Sequence, residues 1–154
     1  MFKVLFVIAG VQLVSSWSLY GDDHSDWCPA PCTCKQVSTG EIDVDCSSRG
    51  LVVLPVDGKW PNKTVELRVN FDDNKIKTIT GFPDVNVVEL SFKRNDVSTI
   101  TDGAFQNLTT LRILDLSFNN LTGAVLRKQT FQGTPGALYS YNQLYIDKLD
   151  LTGK

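Results

Sequence analysis

The side chains of this chain best suited to covalent or metal chemistry are four cysteines, Cys28, Cys32, Cys34 and Cys46, and one histidine, His24. The cysteine spacing, C-x3-C-x-C-x11-C, lacks the two C-x2-C knuckles of common zinc sites, and His24 lies upstream of it in an acidic stretch. A single histidine there does not favour a Ser-His-Asp or Cys-His catalytic arrangement. Asp22-Asp23 and Asp72-Asp73 are adjacent pairs. Neighbours in an extended chain point to opposite faces, so solvated charge suits them better than acid–base work. Neither a Gly-rich phosphate loop nor a calcium-loop pattern occurs. The chain is therefore expected to be no enzyme, with no cofactor and no metal.

The N-terminus decides what the cysteines do. Met1-Phe2-Lys3 gives a positive start, Val4 to Val14 is mostly apolar, and Ser15-Ser16-Trp17-Ser18 supplies small residues for cleavage after Ser16 or Ser18. That pattern predicts a secretory signal peptide over residues 1–18, too short for the ~20 residues a membrane span requires. A flexible acidic leader is expected over 19–27. Behind a signal peptide an even cysteine count reads as disulfides, and four cysteines allow three pairings. About 136 residues remain, enough for one domain. Losing Lys3 takes the formal net charge from −2 to −3, too mild to suggest a nucleic-acid partner. With no second run of 18 apolar residues, no membrane insertion is expected.

The elements that must position everything else are repeats. Val87-x-x-Leu90-x-Phe92-x-x-Asn95-x-Val97 and Leu111-x-x-Leu114-x-Leu116-x-x-Asn119-x-Leu121 are the same pattern, starting 24 residues apart. A looser copy, Val69-x-Phe71-x-x-Asn74-x-Ile76, has Glu66 at the start where a leucine is usual. Alternation within each copy predicts a short strand, and stacking predicts parallel strands with a crossover between them. The inward set is Val69, Phe71, Ile76 and Ile79, then Val87, Leu90, Phe92, Val97, Ile100, Phe105 and Leu108. The third copy adds Leu111, Leu114, Leu116, Leu121, Leu126 and Phe131. Ile100 to Leu108 is expected to return along the convex side. Upstream, Glu41 to Cys46 alternates as a half-buried strand, and Ser38-Thr39-Gly40 before it reads as a hairpin turn.

Cys-Pro-Ala-Pro-Cys-Thr-Cys, with Val44-Asp45-Cys46-Ser47-Ser48-Arg49-Gly50-Leu51 and Leu54-Pro55, closely resembles the N-terminal cap of extracellular leucine-rich-repeat proteins. The resemblance covers Cys28 to about Phe131. It implies an α/β right-handed solenoid with a curved parallel sheet on the concave side and an irregular or helical convex side. It implies the pairings Cys28–Cys34 and Cys32–Cys46 in a cap spanning 28–63. Such a cap covers the apolar edge of the first coil. It also implies that Asn74, Asn95 and Asn119 turn inward as a ladder, satisfying backbone groups left unpaired where the chain leaves each strand. Repeats are expected at about 66–86, 87–110, 111–145 with an insertion, and 146–154, which is incomplete. The insertion lies near 132–145, and Lys154 falls where a ladder asparagine would stand. A piece of a longer protein is the favoured reading.

In such a solenoid the outward residues form the concave face. Here these are Arg68, Asn70, Asp72 and Asp73; Glu89, Ser91, Lys93 and Arg94; Arg112, Asp115, Ser117 and Phe118; then Lys148 and Asp150. Stacking sets Asp72 against Lys93 and Asp73 against Arg94, and Phe118, flanked by Arg94, is a candidate aromatic contact anchor. Sequons at Asn62, Asn107 and Asn120 predict N-glycosylation off the concave strands. The expected function is recognition of an extracellular or cell-surface protein ligand by a secreted or membrane-anchored receptor or adhesion protein. The rival is a matrix protein that self-associates through its uncapped C-terminal repeat.

Overall fold

Apolar residues at alternate positions shape Glu41–Asp45, Glu66–Asn70, Val87–Ser91 and Ile113–Asp115 into strands, and a computed structural model places all four in one sheet. The structure describes residues 27–125, Thr130 and the strand Lys148–Asp150. In chain order the strands are β1 (Thr33–Ser38), β2 (Glu41–Asp45), β3 (Glu66–Asn70), β4 (Thr78–Ile79), β5 (Val87–Ser91), β6 (Thr99–Ile100), β7 (Ile113–Asp115) and β8 (Lys148–Asp150). The main sheet has the order β1-β2-β3-β5-β7-β8. β1 runs antiparallel to β2, and every later neighbour is parallel. Parallel neighbours require the chain to travel round and return, so each strand is one side of a coil. The expected solenoid forms. Its other side takes the irregular option, built from turns and the two-stranded sheet β4-β6, with no α-helix among the described residues.

The inward residues of the three copies through Leu121 are buried, as their spacing predicts. Leu126, Phe131, the insertion, Ile146, Lys154 and residues 1–26 lie outside the described residues. Phenylalanines form the spine of the core. Phe71 and Phe92 stack at 5.1 Å between centroids, and Phe82 bridges to Phe92 at 6.2 Å and to Phe105 at 6.4 Å. Such pairs stabilise by about 0.5–1.5 kcal/mol beyond the area they bury.

One expectation shifts by a residue. Glu66 is exposed, and Leu67, fully buried, pairs with Val87 through an irregularity between Leu67 and Arg68. The local bulge restores an apolar start to a coil whose pattern lacks one. The cap closes on Cys28–Cys34 and Cys32–Cys46, with Cα–Cα distances of 5.8 and 4.3 Å. β2 is already the first parallel strand of the solenoid. Cys46 follows it as Phe71 follows β3: the Cys46 N–H donates to Asn70 O at 2.8 Å, and the Phe71 N–H to Ser91 O at 2.8 Å. The second disulfide is thereby rooted in the core. Gly40, at φ 87°, makes the tight return from β1 to β2 in a conformation other residues resist.

Candidate functional site

Behind each strand the chain turns sharply, and an asparagine amide holds the turn. Asn74 Oδ1 accepts the N–H groups of Arg49 (3.0 Å) and Leu51 (2.9 Å), while its Nδ2 donates to Cys46 O (2.9 Å) and Phe71 O (2.8 Å). Asn95 accepts from Ile76 N at 3.1 Å and donates to Phe71 O at 2.9 Å and Phe92 O at 3.0 Å. Asn119 accepts from Val97 N at 2.9 Å and donates to Phe92 O at 2.8 Å and Leu116 O at 3.1 Å. Each amide therefore ties its own coil to the preceding one. The residue before each asparagine is left-handed: Asp73 (φ 58°), Arg94 (φ 55°) and Phe118 (φ 55°). Ser48, one coil earlier, has φ 54°. Four successive coils share it, so the strain belongs to the coil and is no special property of Phe118.

Registers of the parallel pairs align the outward side chains in rows across the sheet. Asp43, Arg68, Glu89 and Ile113 form one row, and Asp45, Asn70, Ser91 and Asp115 the next. Together with Asp72 they line a shallow trough of about 490 Å³. Ile113, rather than the expected Arg112, is the partner of Glu89. Arg112 is exposed at the strand entrance, where its N–H donates to Val88 O. Ser117 is only 2 % exposed. Asp43, Asp45 and Ile113 were not expected here. The alternation of Glu41 to Asp45 contained the signal, but nothing local says that a cap strand extends the solenoid sheet.

The second row also shapes backbone. Asp45 Oδ1 accepts the Ser47 N–H (2.9 Å), Asn70 Oδ1 the Asp72 N–H (2.8 Å) and Asp115 Oδ1 the Ser117 N–H (2.9 Å). These are turns in which a short polar side chain bonds the backbone two residues on. The Ser47 hydroxyl and N–H beside it hold the Asp45 carboxyl below its ordinary range. In β5 the equivalent residue is Ser91, and the neighbouring coil helps: Asp72 Oδ1 accepts the Lys93 N–H at 2.9 Å and the Ser91 hydroxyl.

That arrangement corrects the expected pairing of Asp72 with the Lys93 side chain. Lys93 Nζ sits instead over the Phe118 ring, 5.6 Å from its centroid, while the ring stays 49 % exposed. Asp73 and Arg94 do meet, through paired bonds of 2.6 Å. The Arg94 guanidinium lowers the Asp73 carboxyl, and Asp73 raises Arg94. Arg68 reaches Glu41 on one side and Glu89 on the other, the latter at 3.3 Å. Among the sequons, Asn62 is exposed with Oδ1 accepting the Thr64 N–H (3.0 Å), and Asn120 is exposed. Asn107 Nδ2 donates to Phe82 O at 2.7 Å. Lys148 and Asp150 lie on β8, in register with Ile113 and Asp115 of β7. Among the described residues no helix is long and apolar enough to cross a membrane.

Coils that each hand one strand to a parallel sheet, tied coil to coil through inward asparagines, define a leucine-rich-repeat solenoid. The chain is a leucine-rich-repeat protein with a disulfide-bonded N-terminal cap. The leucine rich repeat family model matches residues 85–136. The chain is 39% identical to keratocan of Gallus gallus over 80 residues, covering 52% of this chain and 22% of that protein. It is 34% identical over 121 residues to leucine-rich repeat-containing G-protein coupled receptor 5A of Xenopus laevis, covering 75% of this chain and 12% of the receptor. It is 37% identical over 111 residues to leucine-rich repeat-containing protein 3 of Homo sapiens, covering 72% of this chain and 32% of that protein. The chain thus spans about a third or less of each of these three relatives.

Proposed function

We propose that the chain is an extracellular recognition module, part of a cell-surface receptor or adhesion protein, which binds a protein ligand on the trough side of its main sheet. The observation that carries this reading is the continuity of the outward rows from β2 to β7, which offers a rigid, preformed surface with no insertion crossing it among the described residues. Arg68, Asn70, Asp72, Glu89, Ser91 and Asp115 form its floor, with Lys93, Arg94 and Phe118 on the rim after the strands. Arg112 and Ser117 stand off the floor. The carboxylates of the second row are fixed in place by turn N–H groups, and Asp73–Arg94 and the Arg68 pairs are closed within the chain, which supports binding rather than catalysis. Secretion by a signal peptide over residues 1–18, and glycans at Asn62, Asn107 and Asn120, complete the reading.

A glycan placed on the trough tests it. Ser91→Asn with Lys93→Thr creates a sequon on the floor. Binding of the fluorescently tagged full chain to intact cultured cells, sensitive to trypsin treatment of those cells, should be lost in the glycosylated variant. Undiminished binding would overturn the proposal.

A further inference from the structure

We infer that the trough receives an extended segment of its protein ligand that carries lysine or arginine at positions four residues apart. This rests on the reading that the concave face binds a protein. Charge is the first ground. Asp43, Asp45, Asp72, Glu89 and Asp115 line the trough, and Arg68 is the one cation of its described lining. Arg68 is already held between Glu41 and Glu89. On the rim, Lys93 Nζ sits over the Phe118 ring, and Arg94 pairs directly with Asp73 while feeling the charges of Asp72 and Asp115 at longer range. Neutral N–H donors hold the carboxylates of Asp45 and Asp115 in place, and Arg49 and Arg94 act on them only through longer-range charge, not through ion pairs. Asp43 Oδ1 is enclosed and receives no hydrogen bond from the described residues. The floor is therefore anionic and fixed in position, which favours a cationic partner and repels an anionic one.

Spacing is the second ground. Asp45 and Asp115 stand in one row with Asn70 and Ser91 between them, three strand steps apart. At about 4.8 Å per step the two carboxylates are roughly 14 Å apart. An extended segment crossing the strands rises about 3.4 Å per residue, so side chains at i and i+4 are also roughly 14 Å apart on one side. Half-buried Ile113, beside Asp115, gives that end an apolar seat for the aliphatic stem of the basic residue.

The probe is a Gly/Ser peptide with lysines four residues apart, titrated into the isotope-labelled full chain at low salt, alongside its glutamate counterpart. The lysine peptide should move the amide signals of Ser47 and Ser117, and the glutamate peptide should not. Asp45→Asn with Asp115→Asn keeps the oxygens that accept the turn N–H groups and removes two charges. It should weaken lysine-peptide binding by about tenfold, in line with small contributions per exposed pair. Asp57→Asn with Asp96→Asn removes the same charge from exposed sites off the trough and should change affinity less than about twofold. Equal losses in the two variants, or equal binding of both peptides, would overturn the inference. If the glycan at residue 91 abolishes cell binding while the lysine peptide fails to bind, only the charge assignment falls. If cell binding survives that glycan, the concave reading falls and takes this inference with it.

Discussion

Asp73 and Arg94, 21 residues apart in sequence, face each other across adjacent coils in a two-pronged ion pair with both bonds at 2.6 Å. Both sit on left-handed backbone directly before a ladder asparagine. The fold sets their spacing, and the planar guanidinium matches the two carboxylate oxygens.

The pair predicts a specific pH dependence. Asp73 titrates below its ordinary range because Arg94 stabilises its charged form. Its contribution is therefore present above the unfolded carboxylate value of about 3.9 and is lost as pH falls through the lower folded value. Arg94 is raised and stays charged throughout, so it adds no slope. Arg94→Ala should return the Asp73 titration, followed by NMR, to the ordinary range and flatten the acid limb of stability below about pH 4. Since the pair is exposed, both that flattening and the matching fall of the unfolding midpoint at pH 7 should be small.

The ladder predicts a larger effect. Asn95→Ala would strand the Ile76 N–H in the buried seam between two coils and remove one of the two amide bonds to each of the Phe71 and Phe92 carbonyls, which Asn74 and Asn119 still bond. Leaving such a donor unsatisfied costs about 1–3 kcal/mol where water cannot replace the amide, and urea unfolding should show a loss of about 2 kcal/mol. Asn120→Ala, at the exposed next position but one coil on, should be within about 0.5 kcal/mol of wild type.

Loss of the longer disulfide should cost more than loss of the shorter one. Cys32 and Cys46 are separated by 14 residues, Cys28 and Cys34 by 6. On the chain-entropy model these loops are worth about 3 and about 2 kcal/mol. Cys46 also packs in the core, so Cys32→Ala with Cys46→Ala leaves a cavity as well. Denaturant midpoints of the two double variants should fall in that order.

Two of the sequons, at Asn107 and Asn62, should separate under mutation. Asn107→Gln withdraws an amide from Phe82 O and should cost about 1 kcal/mol even in unglycosylated protein. Asn62→Gln gives up only the exposed bond from the Thr64 N–H and should cost no more than about 0.5 kcal/mol there. Thermal unfolding of protein made without glycosylation, paired with glycopeptide mapping of the secreted form, checks both.

Much of the architecture was legible because its causes are local. Leu90, Phe92 and Asn95 recur as Leu114, Leu116 and Asn119, and alternation alone says which of them turn inward. Resemblance of the cap supplied the cysteine pairing, which spacing had left open among three. Glu66 was less legible, since an irregularity of one residue lets Leu67 replace it and no local pattern announces a bulge.

By itself the sequence determined the coil: the inward apolar set, the turn asparagines, the hairpin at Gly40 and the cap. Tertiary structure decided which side chains meet on the outer face. Arg68 found Glu41 because the cap strand joins the solenoid sheet, Lys93 settled on Phe118 rather than Asp72, and Ile113 replaced Arg112 in the outward row. The physical reason is range. Burial pattern and turn chemistry act over a few neighbouring residues, whereas lateral partners depend on the register between coils about 20 residues apart and on which of several nearly equal contacts a flexible side chain adopts.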